Sequence, residues 1–195
     1  MKNAILLLLL LPALLPNHAL SQEGFELMDA TIRMEGTSTL HDWTAEVTKI
    51  SGKAALLLSD QTLRDIPTLS ISMQVRSIRS EKGSVMDNNI RKTMQADKYP
   101  DIRFQLTNIV RLTRKDGGYD ILADGNLTIA GVTKTVRLPV SATQQGDRFQ
   151  FKGSHRLRMT DFKLEPPVMF LGSLKTGDEV TIHFESTFQK PSHPQ

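Results

Sequence analysis

The sequence predicts an all-β fold, an antiparallel barrel or a sandwich with a single helix, and three observations predict it. Roughly eight segments of similar length alternate apolar and polar residues with period 2, the mark of strands that bury one face. These segments follow one another along the chain and are mostly joined by turn-rich connections, as neighbouring strands in an antiparallel sheet are. Only between Ser84 and Ala96 does the spacing of apolar residues become helical. The clearest pair of strands spans Gly118 to Ala142. Tyr119, Ile121, Ala123, Leu127 and Ile129 fall on one face and Asp120, Asp124, Asn126 and Thr128 on the other; past Gly131, Val136, Leu138, Val140 and Ala142 resume the pattern.

In chain order, residues 1–21 read as a secretory signal peptide. Lys2 supplies a positive start, Ala4 to Leu15 is a short leucine-rich run, and Ala19-Leu20-Ser21 carries small residues where a signal peptidase cuts, before Gln22. Pro12, Pro16, Asn17 and His18 break the run short of the roughly 20 apolar residues a membrane span needs, so no integral membrane anchor is expected. Ala30, Ile32 and Met34 mark a first strand that alternates late and ends at Gly36. Trp43, Ala45 and Val47 lead into Ile50, Gly52, Ala54, Leu56 and Leu58, either one long strand or two joined at Gly52. Leu69, Ile71, Met73 and Val75 form the next. Met86, Ile90 and Met94 line one face of the helix, for which Ser84 and Asp87 make a capping box, and the helix ends before Pro100.

Ile102, Phe104 and Leu106 open a strand that reaches about Leu112 with a phase slip near Asn108, as a bulge would give. After the hairpin, Gln144 to Asp147 turns the chain, and Phe149, Phe151, Gly153, His155, Leu157 and Met159 share one face. Asp161 to Gly177 reads as a long loop with an apolar centre at Val168 to Leu171. Val180, Ile182, Phe184, Ser186 and Phe188 form the last strand of a domain over residues 22–188, and residues 189–195 are a loose tail.

Composition narrows the function. The chain has no cysteine, which excludes a disulfide framework and a thiol nucleophile. Its net charge of +3 is scattered, with no Lys/Arg block, so no nucleic acid partner is expected. Of five histidines, His18 is in the leader and His193 in the tail, while His41, His155 and His183 lie on separate elements without metal-site spacing. Ser154 and His155 point to opposite faces of a strand and cannot act as nucleophile and base. No glycine-rich phosphate loop or other cofactor motif is present. The expectation is a non-enzyme with no metal and no cofactor.

Three motifs carry a family resemblance: Gly36-Thr37-Ser38-Thr39-Leu40-His41-Asp42-Trp43, Met94 to Phe104 (MQADKYPDIRF), and Gly125 to Lys134 (GNLTIAGVTK). Together they resemble the YceI-like family of exported proteins over nearly the whole mature chain. The resemblance implies an eight-stranded antiparallel lipocalin-like barrel with one short helix near the mouth, and an interior that in some members holds a polyisoprenoid. In Met159 to Lys163, Lys163 stands where the family pattern more often has glycine, and the His-Asp-Trp entry suggests a subgroup.

Eight strands enclose room for packed side chains or one small ligand. Ala45, Gly52, Ala54, Ala123, Ala142 and Gly153 lie in the inward phase and fit a filled barrel and a hollow one equally well. The inward side chains expected to meet an apolar chain are Trp43, Ile71, Met73, Phe104, Leu106, Ala123, Ile129, Phe151, His155 and Leu157. Trp43 either plugs a barrel end or lines the end of a lipid tunnel. His155 is either a core histidine satisfied by a backbone carbonyl or a polar contact for a headgroup. His41 and Asp42 pair to fix the turn before Trp43.

The function expected is an exported binding protein, periplasmic or secreted, that sequesters an apolar chain such as an isoprenoid, quinone tail or fatty acid. The alternative is a filled-barrel interaction module of the cell envelope, docking a protein through Met86, Ile90 and Met94 or through the Val168-to-Leu171 loop.

Overall fold

The first strand, β1 (Ser21–Ser38), pairs along both flanks, and this closes the sheet on itself. The computed structural model describes residues 20–169 and 173–191. The expected leader lies outside them apart from Leu20 and Ser21, as do Phe170, Leu171 and the tail beyond residue 191. The remaining elements are β2 (Trp43–Val47), β3 (Ile50–Ser59), β4 (Thr62–Gln74), β5 (Ile78–Ser80), α1 (Ser84–Thr93), β6 (Asp101–Lys115), β7 (Gly118–Ile129), β8 (Val132–Gln145), β9 (Arg148–Arg158), β10 (Val168–Met169) and β11 (Leu174–Gln189). Pairing runs β1-β3-β4-β6-β7-β8-β9-β11 and returns to β1, an antiparallel eight-stranded barrel as expected.

The late alternation of β1 has a local cause. Leu27 and Asp29 face Phe188 and Thr187, so Met28 is an extra residue that shifts the inward phase from Phe25 and Leu27 to Ala30, Ile32 and Met34. The run from Trp43 to Ser59 is two strands, and the joint is at Thr48-Lys49 rather than at Gly52. There Thr48 N–H and Oγ1 donate to Ser77 O, and Lys49 N–H donates to Ser77 Oγ at 3.0 Å, drawing this kink onto the 3₁₀ turn Val75–Ser77. Beyond it, β2 pairs with β1, and β5 pairs with β2.

The helix forms where predicted, but without the capping box. Gly83 is the N-cap, no side chain caps the first turn, and Asp87 instead accepts the Ser80 N–H at 2.7 Å. The phase slip in β6 is real and double, with register shifts at Leu106/Asn108 and Ile109/Arg111. The long loop is more ordered than the sequence suggested: Met159–Phe162 is a 3₁₀ turn, Val168 and Met169 pair with Lys175 and Leu174, and β11 begins at Leu174. The tail is shorter, since Gln189 pairs with Glu26 and Arg148. Lys163 ends the 3₁₀ turn at φ 57°, the left-handed region that glycine enters without steric cost. Lys163→Gly is therefore expected to stabilise the fold by about 0.5–1 kcal/mol, read from a denaturant melt.

Two stretches of wall have no backbone ladder among the described residues. β4 and β6 pair only from Ser70↔Gln105 to Gln74↔Asp101, which leaves Thr62–Leu69 and Leu106–Lys115 without a main-chain ladder between them. Pro67, which has no N–H to donate, lies in this stretch, and the bulges of β6 carry its partner strand out of register. β8 and β9 likewise pair only from Val140↔Gly153 to Gln145↔Arg148, beginning one residue after Pro139. The second breach is filled by the buried side chains of Met159, Phe162 and Leu164.

The interior divides in two. Towards the hairpin turns at Asp60-Gln61, Gly117 and Gly146, it is filled by Phe25, Leu56, Leu63, Tyr119, Phe149, Phe151 and Phe188. Ring centroids of Phe25 and Phe149 lie 5.5 Å apart edge-on, and those of Phe151 and Phe188 5.9 Å. The Tyr119 hydroxyl accepts the Leu63 N–H at 3.1 Å across this end. Towards α1 the interior opens.

Candidate functional site

The open part of the barrel is a cavity of about 190 Å³. Each strand's inward phase supplies its wall. All ten side chains nominated from the sequence border it: Trp43 of β2, Ile71 and Met73 of β4, Phe104 and Leu106 of β6, Ala123 and Ile129 of β7, and Phe151, His155 and Leu157 of β9. Among the described residues none that borders it is acidic, His155 is the only one of a basic type, and besides the Trp43 indole N–H only Thr93, Thr176 and Ser186 add polar side-chain groups.

The hollow has an identifiable cause. The Phe104 ring lies where a side chain at Gly125 would project, the Phe184 ring covers Gly153, and the Trp43 ring covers Gly36, so that a β-carbon at any of these glycines would collide with the ring. Gly153 stands directly opposite Phe184 in the ladder, and Gly36 opposite Trp43. Each ring thus takes up room beside the wall that a side chain at the glycine would otherwise fill. Of the small inward residues noted in the sequence, only Ala123 borders the cavity directly; Ala54 and Ala142 belong to the filled end and Ala45 to the core beside α1.

Trp43 lines the cavity rather than plugging it, is 7% exposed, and donates its Nε1–H to Thr37 O at 3.2 Å. The turn before it is not held by a His41–Asp42 pair. Ser38 Oγ holds it, donating to His41 O at 2.6 Å and accepting the His41 N–H. The motif residues Tyr99 and Gly131 also meet, the Tyr99 ring lying against the β7–β8 turn.

Met86, Ile90, Thr93 and Met94 of α1 turn onto the cavity and cap it, so this face is an inner lining, not an outer docking face. Their spacing marked a buried helix face but did not say against what. The ligand contacts expected from the sequence also left out Ile32, Met34, Val136, Leu138, Ile182 and Phe184, which lie on the inward faces of β1, β8 and β11, and Leu164, Pro167 and Thr176, which have no periodicity to reveal them. The loop bearing the last three is tied down by Asp178, which accepts the Thr160 N–H at 2.9 Å and the Thr160 hydroxyl at 2.7 Å. The Thr160 bonds hold the Asp178 carboxyl below its ordinary range. Its stabilising share is therefore present above the usual carboxylate range and lost as pH falls through the lowered value. Asp178→Ala is expected to flatten that part of an acid-unfolding curve.

His155 is not the carbonyl-bonded core histidine that one reading expected. Its ring faces the cavity and meets no hydrogen-bond partner among the described residues, and burial alone pushes its pKa down. His183 lies outside, 3.3 Å from Glu35. Among the described residues no three His, Asp or Glu side chains are grouped to hold a metal, and no helix is long and apolar enough to cross a membrane.

Known proteins share this architecture. The model of the YceI-like domain matches residues 22–188. The BcnA protein of Burkholderia cenocepacia superposes with a TM-score of 0.63 at 20% identity, over 81% of this chain and 95% of its own. A polyisoprenoid binding domain from Saccharophagus degradans, implicated in plant cell wall breakdown, gives 0.64 at 14% identity over 86% and 98%. The YceI protein of Campylobacter jejuni gives 0.59 at 18% over 76% and 85%. At these identities the likeness is one of fold. No curated protein matches the chain in sequence.

Proposed function

Because the chain belongs to the YceI-like domain family, we propose that it is an exported binding protein that encloses a long apolar chain, isoprenoid, quinone or fatty-acyl, within its barrel. The observation that carries the reading is the cavity wall, built from ten strand-borne nominees and the inner face of α1 without a single acidic side chain. Burial of apolar surface stabilises a complex by about 25 cal/mol per Å², so a long chain needs few polar contacts to be retained. The polyisoprenoid-binding domain of like fold supports the same reading. The chemistry asked of the site is retention of a chain, and its residues supply no nucleophile–base pair.

Organic extraction of the purified protein followed by mass spectrometry tests the proposal, together with titration of the delipidated protein with a fluorescent apolar chain. A co-purifying chain or saturable binding is the expected result. An empty extract together with no saturable binding would overturn it. Export is tested by sequencing the N-terminus of protein from the exported soluble fraction, where Gln22 is expected first.

A further inference from the structure

His155 interrupts an otherwise apolar wall. It stands on β9 between Gly153 and Leu157 and opposite Ile182 of β11. The other polar side chains are remote from it along the barrel. Thr93 ends α1 and Thr176 lies near the start of β11, both at the helix end, while Ser186 is four residues deeper on β11 than Ile182, or about 13 Å at strand spacing. Among the described residues no charged side chain borders the cavity that could pair with an ion held there.

An apolar chain entering the cavity takes water away from the imidazole and offers nothing in return. A buried donor or acceptor stripped of its partner loses more than a hydrogen bond is ordinarily worth. A chain with an oxygen at that depth avoids this cost. A neutral imidazole presents one N–H donor and one acceptor, so it matches a carbonyl through the first and a hydroxyl through either. A carboxylate fares worse, because its charge would be desolvated with no cation on the wall and because burial favours the neutral imidazole.

We infer that His155 is a specificity-determining contact for one uncharged oxygen function, a carbonyl or hydroxyl, carried by the enclosed chain. The inference rests on the binding reading above and names the class of chain within it. Sites built to meet a polar group discriminate strongly against analogues that lack it.

The test is competition against a fluorescent apolar chain on the delipidated protein. The competitors are a hydrocarbon, an alcohol, a methyl ketone and a carboxylate of equal chain length. In the wild type the alcohol and ketone should compete roughly tenfold better than the hydrocarbon and the carboxylate. In His155→Leu the advantage over hydrocarbon should disappear while hydrocarbon affinity is kept or raised, and His155→Gln should restore part of it. Thermal melts of both variants establish that they are folded, and His155→Ala, in which the advantage should likewise disappear, takes the place of the Leu variant if that one is not. Equal competition by hydrocarbon and alcohol in the wild type, or an advantage that survives in both variants, overturns the inference while leaving the binding reading intact. A carboxylate that competes as well as the alcohol overturns the restriction to uncharged groups. Failure of the wild type to bind the fluorescent chain, together with an empty organic extract, overturns the binding reading and this inference together.

Discussion

Phe149→Ala is expected to destabilise the protein by about 3–5 kcal/mol, the range for removing a large aromatic from a core that cannot collapse into the space. Phe149 is 0% exposed. Its ring meets Phe25 edge-on at 5.5 Å and stacks with Phe151 at 6.5 Å, contacts that add to simple burial. Equilibrium unfolding in denaturant measures the loss. Because the ring belongs to the filled end, the affinity of the folded variant for an apolar chain should change far less than its stability. A stability loss below about 1 kcal/mol would show that this end of the barrel is not packed as described.

The second large effect is expected on binding. Ala123 faces the cavity from the middle of β7, between Ile121 and Gly125, and is opposite Ile109 of β6 and Leu138 of β8. Ala123→Phe adds a ring to a space of about 190 Å³, so it should exclude much of the chain and weaken fluorescent-chain binding by at least roughly tenfold. In a fully packed interior the same change would overpack the core at a cost of about 1–3 kcal/mol; here the delipidated protein should lose less. A melting curve and a titration on the same preparation separate the two effects. Binding that persists at wild-type strength would mean that the chain lies elsewhere.

Much of this site was legible because a strand's period of 2 fixes which side chains share a face. Once Tyr119, Ile121 and Ala123 are in phase, Ile129 follows, and the same logic put Phe151, His155 and Leu157 on one wall. What stayed hidden depends on partners distant in sequence. Whether the lumen is empty turns on which glycine faces which ring across a ladder, and no local pattern states that Gly153 meets Phe184 or that the Phe104 ring covers Gly125. The joint at Thr48-Lys49 is set by Ser77, so inspection of Gly52 misplaced it. The capping box failed because the Ser80 N–H, seven residues away, takes the Asp87 carboxylate. The apolar face of α1 was visible, but nothing in its spacing tells a cavity from a partner.

Pro67 and the bulges of β6 leave part of the barrel wall held by side chains alone. Separating β4 from β6 there breaks no main-chain bonds of the ladder, so local opening has a lower free energy at this seam than at β6–β7, where the ladder runs from Arg103 to Lys115. In deuterated water, the amides of Thr62–Leu69 and Thr107–Arg114 that point across the seam, apart from the Leu63 N–H held by the Tyr119 hydroxyl, should exchange well before those shared between β7 and β8. An even protection pattern around the circumference would contradict this. The barrel, closed in topology, is thus uneven in mechanics: with the β8–β9 stretch plugged by Met159, Phe162 and Leu164, the β4–β6 side is the more compliant, and thermal fluctuations should widen the lumen there first.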